Sequence, residues 1–507
     1  MSDLFCRSNI RTNPRLLMKI TSLLSNLFAV LLASAASGQT TKSIPNFAAA
    51  NLVLGDTDFR GGGTGGTTAR EFANGLTGDI AVDSTTRKVF VADGLRVLRF
   101  ANADALANGA AAEAVFGQGN FTAFTSSSTP NEFRFSAFGI CVDGQGRLWI
   151  ADINNKRVLR FDNANTSASF PAATRVYGQQ NFTTKIAGSD AKGMGGPADV
   201  LVDSNDRLWV ADANNNRVLR FDNISSKPSG ASADALLGQA TFGTVGEGLS
   251  QSTMDLPFSL AITAGGTLFV ADRDNNRILR FNNAASLANG ANASAVLGQS
   301  QFDTESTDVI ASKLNVPSGI AVSTDDTLWV ADRLNHRMLR FNDASTKANG
   351  ASADGVLGQP DFFSNVQNNN SQGATAENSQ GFLFPEYVFV DNVKGGLWVS
   401  DSQNQRVLRF GGVKVPSVDT TKPTVSVGRF PSKITTRSVT IKGSASDNRA
   451  VKKVQYRVGA GPVITATGTA RWNFNANLRK GINKITIQAK DAAGNVSSRK
   501  VIQITRM

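Results

Sequence analysis

Histidine occurs once in the 507 residues, at His336. A multi-histidine zinc site or a nucleophile–histidine–acid triad therefore has no foundation in this chain. Oxygen ligands are a different matter. Near the start of repeated apolar strands, otherwise regular sequence places Asp79, Asp199, Ser259, Glu386 and Tyr387. Carboxylates brought from separate strands onto one axis are the donors that a hard cation such as Ca²⁺ takes. No spacing rule selects these five, so polar residues lining a wet channel are the plainer reading; the five stand as candidate ligand-binding residues at the channel mouth, and no catalytic residue, metal ligand or cofactor is assigned from them. The run DRDNN (272–276) begins like a calcium loop but lacks the Gly and Glu that complete one. Cys141 lies in the apolar run FGICVD, where a sibling segment has Ala321. It reads as a small buried hydrophobe, not a nucleophile.

A second set of charged residues is periodic. Asp93 with Arg96, Asp152 with Arg157, Asp212 with Arg217, Asp272 with Arg277, Asp332 with Arg337 and Asp401 with Arg406 recur about every 60 residues. In five of the six, a four-residue turn separates the partners and its third residue is Asn (Asn155, Asn215, Asn275, Asn335, Asn404). Asn tolerates left-handed backbone, which is the expected reason for it here. The first pair is joined by Gly94-Leu95, as a type II′ hairpin requires. Across such a hairpin Asp and Arg meet as a charge-assisted, structural pair.

These pairs sit inside a larger unit. Each repeat contains a GIAVD-like run, then LWVAD, then RVLRF, then AVLGQ, the last followed by Phe. Four short strands per unit in tandem is the pattern of a β-propeller. Phe90, Trp149, Trp209, Phe269, Trp329 and Trp398 share one position, as packing between blades demands. The repeats begin with a lone fourth-type strand (52–55) and end with a third-type strand (406–410). The N-terminal strand must then complete the last blade, so residues 51–55 are predicted to pair with 405–410. The fold expected is all-β, a six-bladed propeller closed by an N-terminal strand and followed by a small β-sandwich. The repeats resemble the NHL repeat family over residues 50–411, with Ser400 for Ala and Thr263 and Ser323 for Asp as departures.

Residues 1–38 read as a signal peptide: Arg7, Arg11, Arg15 and Lys19, an apolar run from Leu23 to Ala36, and a small-residue site at Ala33-Ser34-Ala35. The start falls at Met1 or Met18. A secreted or cell-envelope location follows, with no transmembrane segment in the mature chain. Beyond a linker at 412–423, residues 424–507 alternate with period two, and GINKITIQAKDAAGNVSS (481–498) is similar to the last hairpin of bacterial immunoglobulin-like or fibronectin-like modules. From residue 419 onward there are 17 Lys or Arg against 3 Asp, a charge of +14, while the propeller carries −5. Such a field attracts anionic envelope polymers, and Lys452, Lys453 and Arg457 are expected to form a continuous basic strand face. No nucleic-acid motif accompanies the charge.

The connections leading into each repeat are long and mutually dissimilar, whereas the repeats beneath them are uniform. That combination suits recognition of a protein or an extracellular glycan by a monomeric, non-catalytic scaffold. A Ca²⁺-dependent hydrolase or lactonase working at the channel mouth is the competing expectation.

Overall fold

The computed structural model describes residues 41–59, 66–73, 77–133, 137–369, 378–412, 422–447, 451–491 and 495–507. The expected signal peptide and most of the expected linker (413–421) lie outside them. The chain divides into two compact units, residues 1–414 and 415–507. Among the described residues there are strands and short 3₁₀ turns and no α-helix.

The first unit contains six four-stranded antiparallel sheets, the blades. The third blade is representative: Pro197–Val202, Leu208–Asp212, Arg217–Phe221 and Ala235–Leu237 in order from the axis outward. The sixth is assembled from both ends of the unit. Its outermost strand is Leu52–Leu54, paired antiparallel with Arg406–Gly411 through Leu52↔Arg409, Val53↔Leu408 and Leu54↔Val407. The ring therefore closes as the repeat order requires. It is also tied further upstream: the Ile44 carbonyl accepts a bond from Arg340 at 2.6 Å, and the Phe47 N–H donates to Val356 at 2.9 Å.

Apolar alternation accounts for the core. Phe90, Trp149, Trp209, Phe269, Trp329 and Trp398 are all buried, each in a cluster shared with a strand of the next blade. Trp149, for example, packs with Val200, Leu208 and Phe221. The second Arg of each RVLRF run reinforces the same seam. Arg409 lies 5.4 Å over the Trp398 ring and donates to the Ala103 carbonyl of the first blade at 2.9 Å.

The six Asp–Arg pairs are formed, with Arg Nε 2.6–2.9 Å from Asp Oδ2 in every blade. The Asn of the turn has a different task from the one its type suggests. Left-handed backbone belongs to the residue after it (Lys156, Asn216, Asn276, His336, Gln405; φ 50–56°). Asn155, Asn215, Asn275, Asn335 and Asn404 instead donate to the same aspartate at 2.7–2.9 Å. An amide reaching a buried carboxylate is worth more here than conformational tolerance, because that carboxylate is cut off from water. In the first blade Gly94 has φ of 60° and Leu95 does not share it, consistent with a type II′ turn.

The second unit is a β-sandwich of a three-stranded sheet and a five-stranded sheet. Trp472, Phe474 and Tyr456 stack in its core with Ile441, Ile485 and Ile504.

Candidate functional site

Each blade's inner strand carries a bulge near its start, for example between Pro197 and Asp199. A bulge frees a backbone N–H from the ladder, and that donor needs a partner when buried. Asp79 supplies one to the neighbouring blade: its carboxylate accepts Ile140 N–H at 3.0 Å and Ile80 N–H at 2.7 Å. Asp199 accepts Leu260 N–H at 2.8 Å, Val200 N–H at 2.7 Å and the Ser259 hydroxyl at 2.9 Å. Ser259 in turn accepts Ile320 N–H at 3.1 Å. Three of the five residues singled out from sequence thus stitch adjacent inner strands together.

The blade between the two aspartates has Gly139 at the matching position, where a Cβ would overlap the Asp199 carboxylate. Burial holds the Asp79 carboxyl well above the usual range, and the nearby Asp199 charge adds to this. Burial also pushes Asp199 up to about 7 against the bonds it accepts. Below these residues the axis is a cavity of about 290 Å³ reaching Val202, Val390 and Asn392. Cys141 lines it half-buried, more open than a core position, and burial next to Asp143 raises its thiol well above 9.

Tyr387 and Glu386 belong to the other end of the axis. Tyr387 extends from the sixth blade to the third, donating its hydroxyl to the Ala198 carbonyl at 3.2 Å. Its ring lies 5.5 Å from Phe258, and the two pack with Ala198 and Ala213, flanked by Ile153 and Leu256. This apolar plug occupies the end of the channel that faces the entry loops. Glu386 is held above it by Arg333, with Arg273 at 3.7 Å. Those guanidiniums cover the Phe384 and Phe258 rings at 4.9 and 4.2 Å. His336 accepts the Phe384 N–H on Nδ1 at 3.2 Å, and burial lowers its pKa to about 4, so it stays neutral.

Asp79, Asp199 and Ser259 therefore form one group below the plug, Tyr387 is part of the plug itself, and Glu386 stands above it. Among the described residues no group of three or more His, Cys, Asp or Glu is arranged to hold a metal ion.

The loop face is rigidly underpinned. Arg217 is completely buried and uses all five of its N–H groups: one on Asp212, the others on the carbonyls of Ser189, Phe242, Asp190 and Gly193 at 2.6–3.2 Å. Asp212 accepts the Gly195 and Gly196 N–H groups with its other oxygen. Each Asp–Arg pair is thus a clamp on the loop entering its blade and the loop leaving it. A second clamp has no counterpart among the expectations drawn from the sequence. Gln118, Gln179, Gln239, Gln299 and Gln359, from the repeated GQ, are buried and donate both to the hairpin turn and to a carbonyl seven residues on. Recurrence of a polar residue directly after an outer strand was the available signal.

On these clamped loops apolar side chains stand in solvent. Phe124, Ile186, Val245, Leu334, Phe363 and Val366 are exposed there, and only Val393 among the large exposed hydrophobics of the described propeller lies on the opposite face.

The family models that match the chain agree with this architecture. The NHL repeat model matches residues 194–221 and 314–341, and the Bacterial Ig domain model matches 416–489. No curated protein matches the chain. Solved structures that match include a gluconolactonase from Xanthomonas campestris (14% identity, 66% of this chain and 86% of that one, TM-score 0.36). A streptogramin B lyase matches at 13% identity over 67% and 94%, TM-score 0.35. An auxiliary nutrient binding protein from Bacteroides thetaiotaomicron matches at 12% over 67% and 69%, TM-score 0.42. The chain carries NHL repeats within its propeller and a bacterial Ig domain at its C-terminus.

Proposed function

We propose that the propeller is a non-catalytic binding module that recognises a macromolecule, a protein or an extracellular glycan, through its loop face. The Ig-like unit acts as a spacer or a tether to an anionic surface of the cell envelope. The observation that carries the reading is the concentration of exposed apolar side chains on one face of an otherwise well-packed ring. Large hydrophobics left in water on rigid loops favour association, because a partner removes them from water at little cost in loop ordering. Export and a monomeric state are part of the same proposal. No helix among the described residues is long and apolar enough to cross a membrane.

The enzymatic alternative, a Ca²⁺-dependent hydrolase or lactonase at the channel mouth, finds less support in the geometry. Asp79, Asp199 and Ser259 already bond to backbone N–H groups, and Tyr387 and Phe258 fill the axis above them. A cation with 6–8 oxygen ligands would need donors that are committed elsewhere.

The test is capture from native envelope extract by the full mature chain and by an Ile186→Ser/Phe363→Ser variant. Loss of a specific partner with the variant, at unchanged melting temperature, supports the loop face. Equal capture by both removes it. Stoichiometric Ca²⁺ retained after dialysis would favour the enzyme instead.

A further inference from the structure

The +14 of the C-terminal unit is not spread evenly over its surface. Of its acidic residues, Asp447 and Asp491 are described, and both lie at one end of the sandwich, where Val451 pairs with Asp491 and Ser446 with Thr424. The opposite end is formed by the turn at 477–481, the loop 459–463 and the pairings Gly481↔Arg506 and Ser438↔Asn477. Arg437, Arg479, Lys480, Lys484 and Arg506 collect there with no described acidic residue among them.

That end is also cleft and apolar. A depression of about 700 Å³ runs between the 458–464 segment and the 475–484 segment, with Arg479, Lys480 and Lys484 along one side. Ile464 and Ile482 also line it, and Val463 stands beside Ile464. All three are in solvent: Ile482 is 75% exposed, Val463 58% and Ile464 45%. The aromatic residues Tyr456, Trp472 and Phe474 are meanwhile committed to the core, so stacking on sugars or bases is not what this end provides.

Cations alone would suit any polyanion, but a hydrated soluble polymer gives exposed isoleucines nothing to enter. An anionic bilayer satisfies both. Phosphate headgroups meet the basic side chains, and the apolar tips enter the acyl boundary. We propose that this end of the Ig-like unit docks on an anionic lipid surface, with Val463, Ile464 and Ile482 inserted and Arg479, Lys480 and Lys484 at headgroup level. The inference deepens the tether reading of this unit and is independent of what the propeller binds.

The test is cosedimentation of the full mature chain with phosphatidylcholine vesicles containing or lacking phosphatidylglycerol, at physiological salt. Binding is expected only with phosphatidylglycerol. Lys480→Ser should weaken it about fivefold, the effect of one cation near a charged surface. Ile482→Ser should weaken it about tenfold, yet leave retention on a soluble polyanion, dextran sulfate, unchanged. Lys453→Ser and Arg457→Ser, on the broad face of the five-stranded sheet, should have less effect than Lys480→Ser. Both isoleucine and lysine positions are exposed, and an unchanged melting temperature confirms that each variant folds. If Ile482→Ser binds vesicles like the parent while dextran sulfate is still retained, the lipid assignment is overturned and a charge-only tether stands. If neither vesicles nor dextran sulfate are bound, the tether reading falls as well.

Discussion

Tyr387 donates its hydroxyl hydrogen to the carbonyl of Ala198 at 3.2 Å, joining the sixth blade to the third. These blades face each other across the ring, so a single phenol bridges the axis. Tyr387→Phe removes one buried hydrogen bond and is expected to cost about 1 kcal/mol. Tyr387→Ala also empties the plug against Phe258, at a cost of about 3–5 kcal/mol. Urea denaturation of the propeller transition measures both. A Phe variant as stable as the parent, but deficient in ligand capture, would make Tyr387 a recognition residue instead.

The buried Asp79 and Asp199 carboxyls make a pH prediction whose sign can be worked out. Asp199 titrates near 7 when folded and near 3.9 unfolded, and Asp79 is shifted in the same direction. Between these limits the folded protein binds more protons than the unfolded chain. Stability contributed by the pair should therefore fall as pH rises from about 4 to about 7, with a slope on the order of 1 kcal/mol per pH unit. Subtracting the stability–pH curve of Asp199→Asn from that of the parent isolates this dependence. A flat difference curve would mean that the carboxyl is not held protonated near neutrality.

The blade count and the positions of the clamping pairs were legible because each is stated six times over, and ring closure because the repeats begin with a lone fourth-type strand and end with a third-type one. A period of about 60 residues with matched Asp, Arg and aromatic positions leaves little freedom. What single positions do was much harder to read. Asp79, Asp199 and Ser259 drew notice as variable polar residues, but bulges create their hydrogen-bonding work, and no periodicity marks a bulge. Tyr387 follows from the same register shift, and only the closed ring reveals that Ala198 is within its reach. The turn asparagines show a further limit, since an amide can be selected for the carboxylate it reaches instead of the backbone it tolerates. Clustering of exposed apolar residues on one face likewise depends on which loops emerge together.

Arg217 should tolerate no replacement. Its five donors meet five acceptors in a fully buried site, and Arg217→Ala leaves Asp212 and four carbonyls without them. Breaking a buried pair by removing one member costs about 3–5 kcal/mol. Arg217→Lys should rescue little, because an ammonium offers three donors from one point where the guanidinium offers five in a plane. Chemical denaturation of the three proteins checks the order. Near-parent stability of the lysine variant would reduce the clamp to a simple charge pair.

Closure of the ring makes the segment just beyond the expected signal peptide indispensable. A chain beginning near residue 62 lacks Leu52–Leu54 and uncovers the backbone edge of Arg406–Gly411. It also loses Asn51, which accepts from Arg409 Nε at 3.0 Å and donates to the Gly411 carbonyl at 2.8 Å. An uncovered edge in a sheet of buried strands pairs with other chains, so this truncation should aggregate. A chain beginning at residue 51 keeps the pairing strand but gives up the bonds that Ile44, Asn46 and Phe47 make with Arg340 and Val356. It should remain monomeric while melting below the parent, because its edge is covered and only peripheral bonds are lost. Size-exclusion chromatography with thermal melts distinguishes the two. If the chain from residue 62 stays monomeric and melts with the parent, the sixth blade does not depend on the N-terminal strand and the closure described here is wrong.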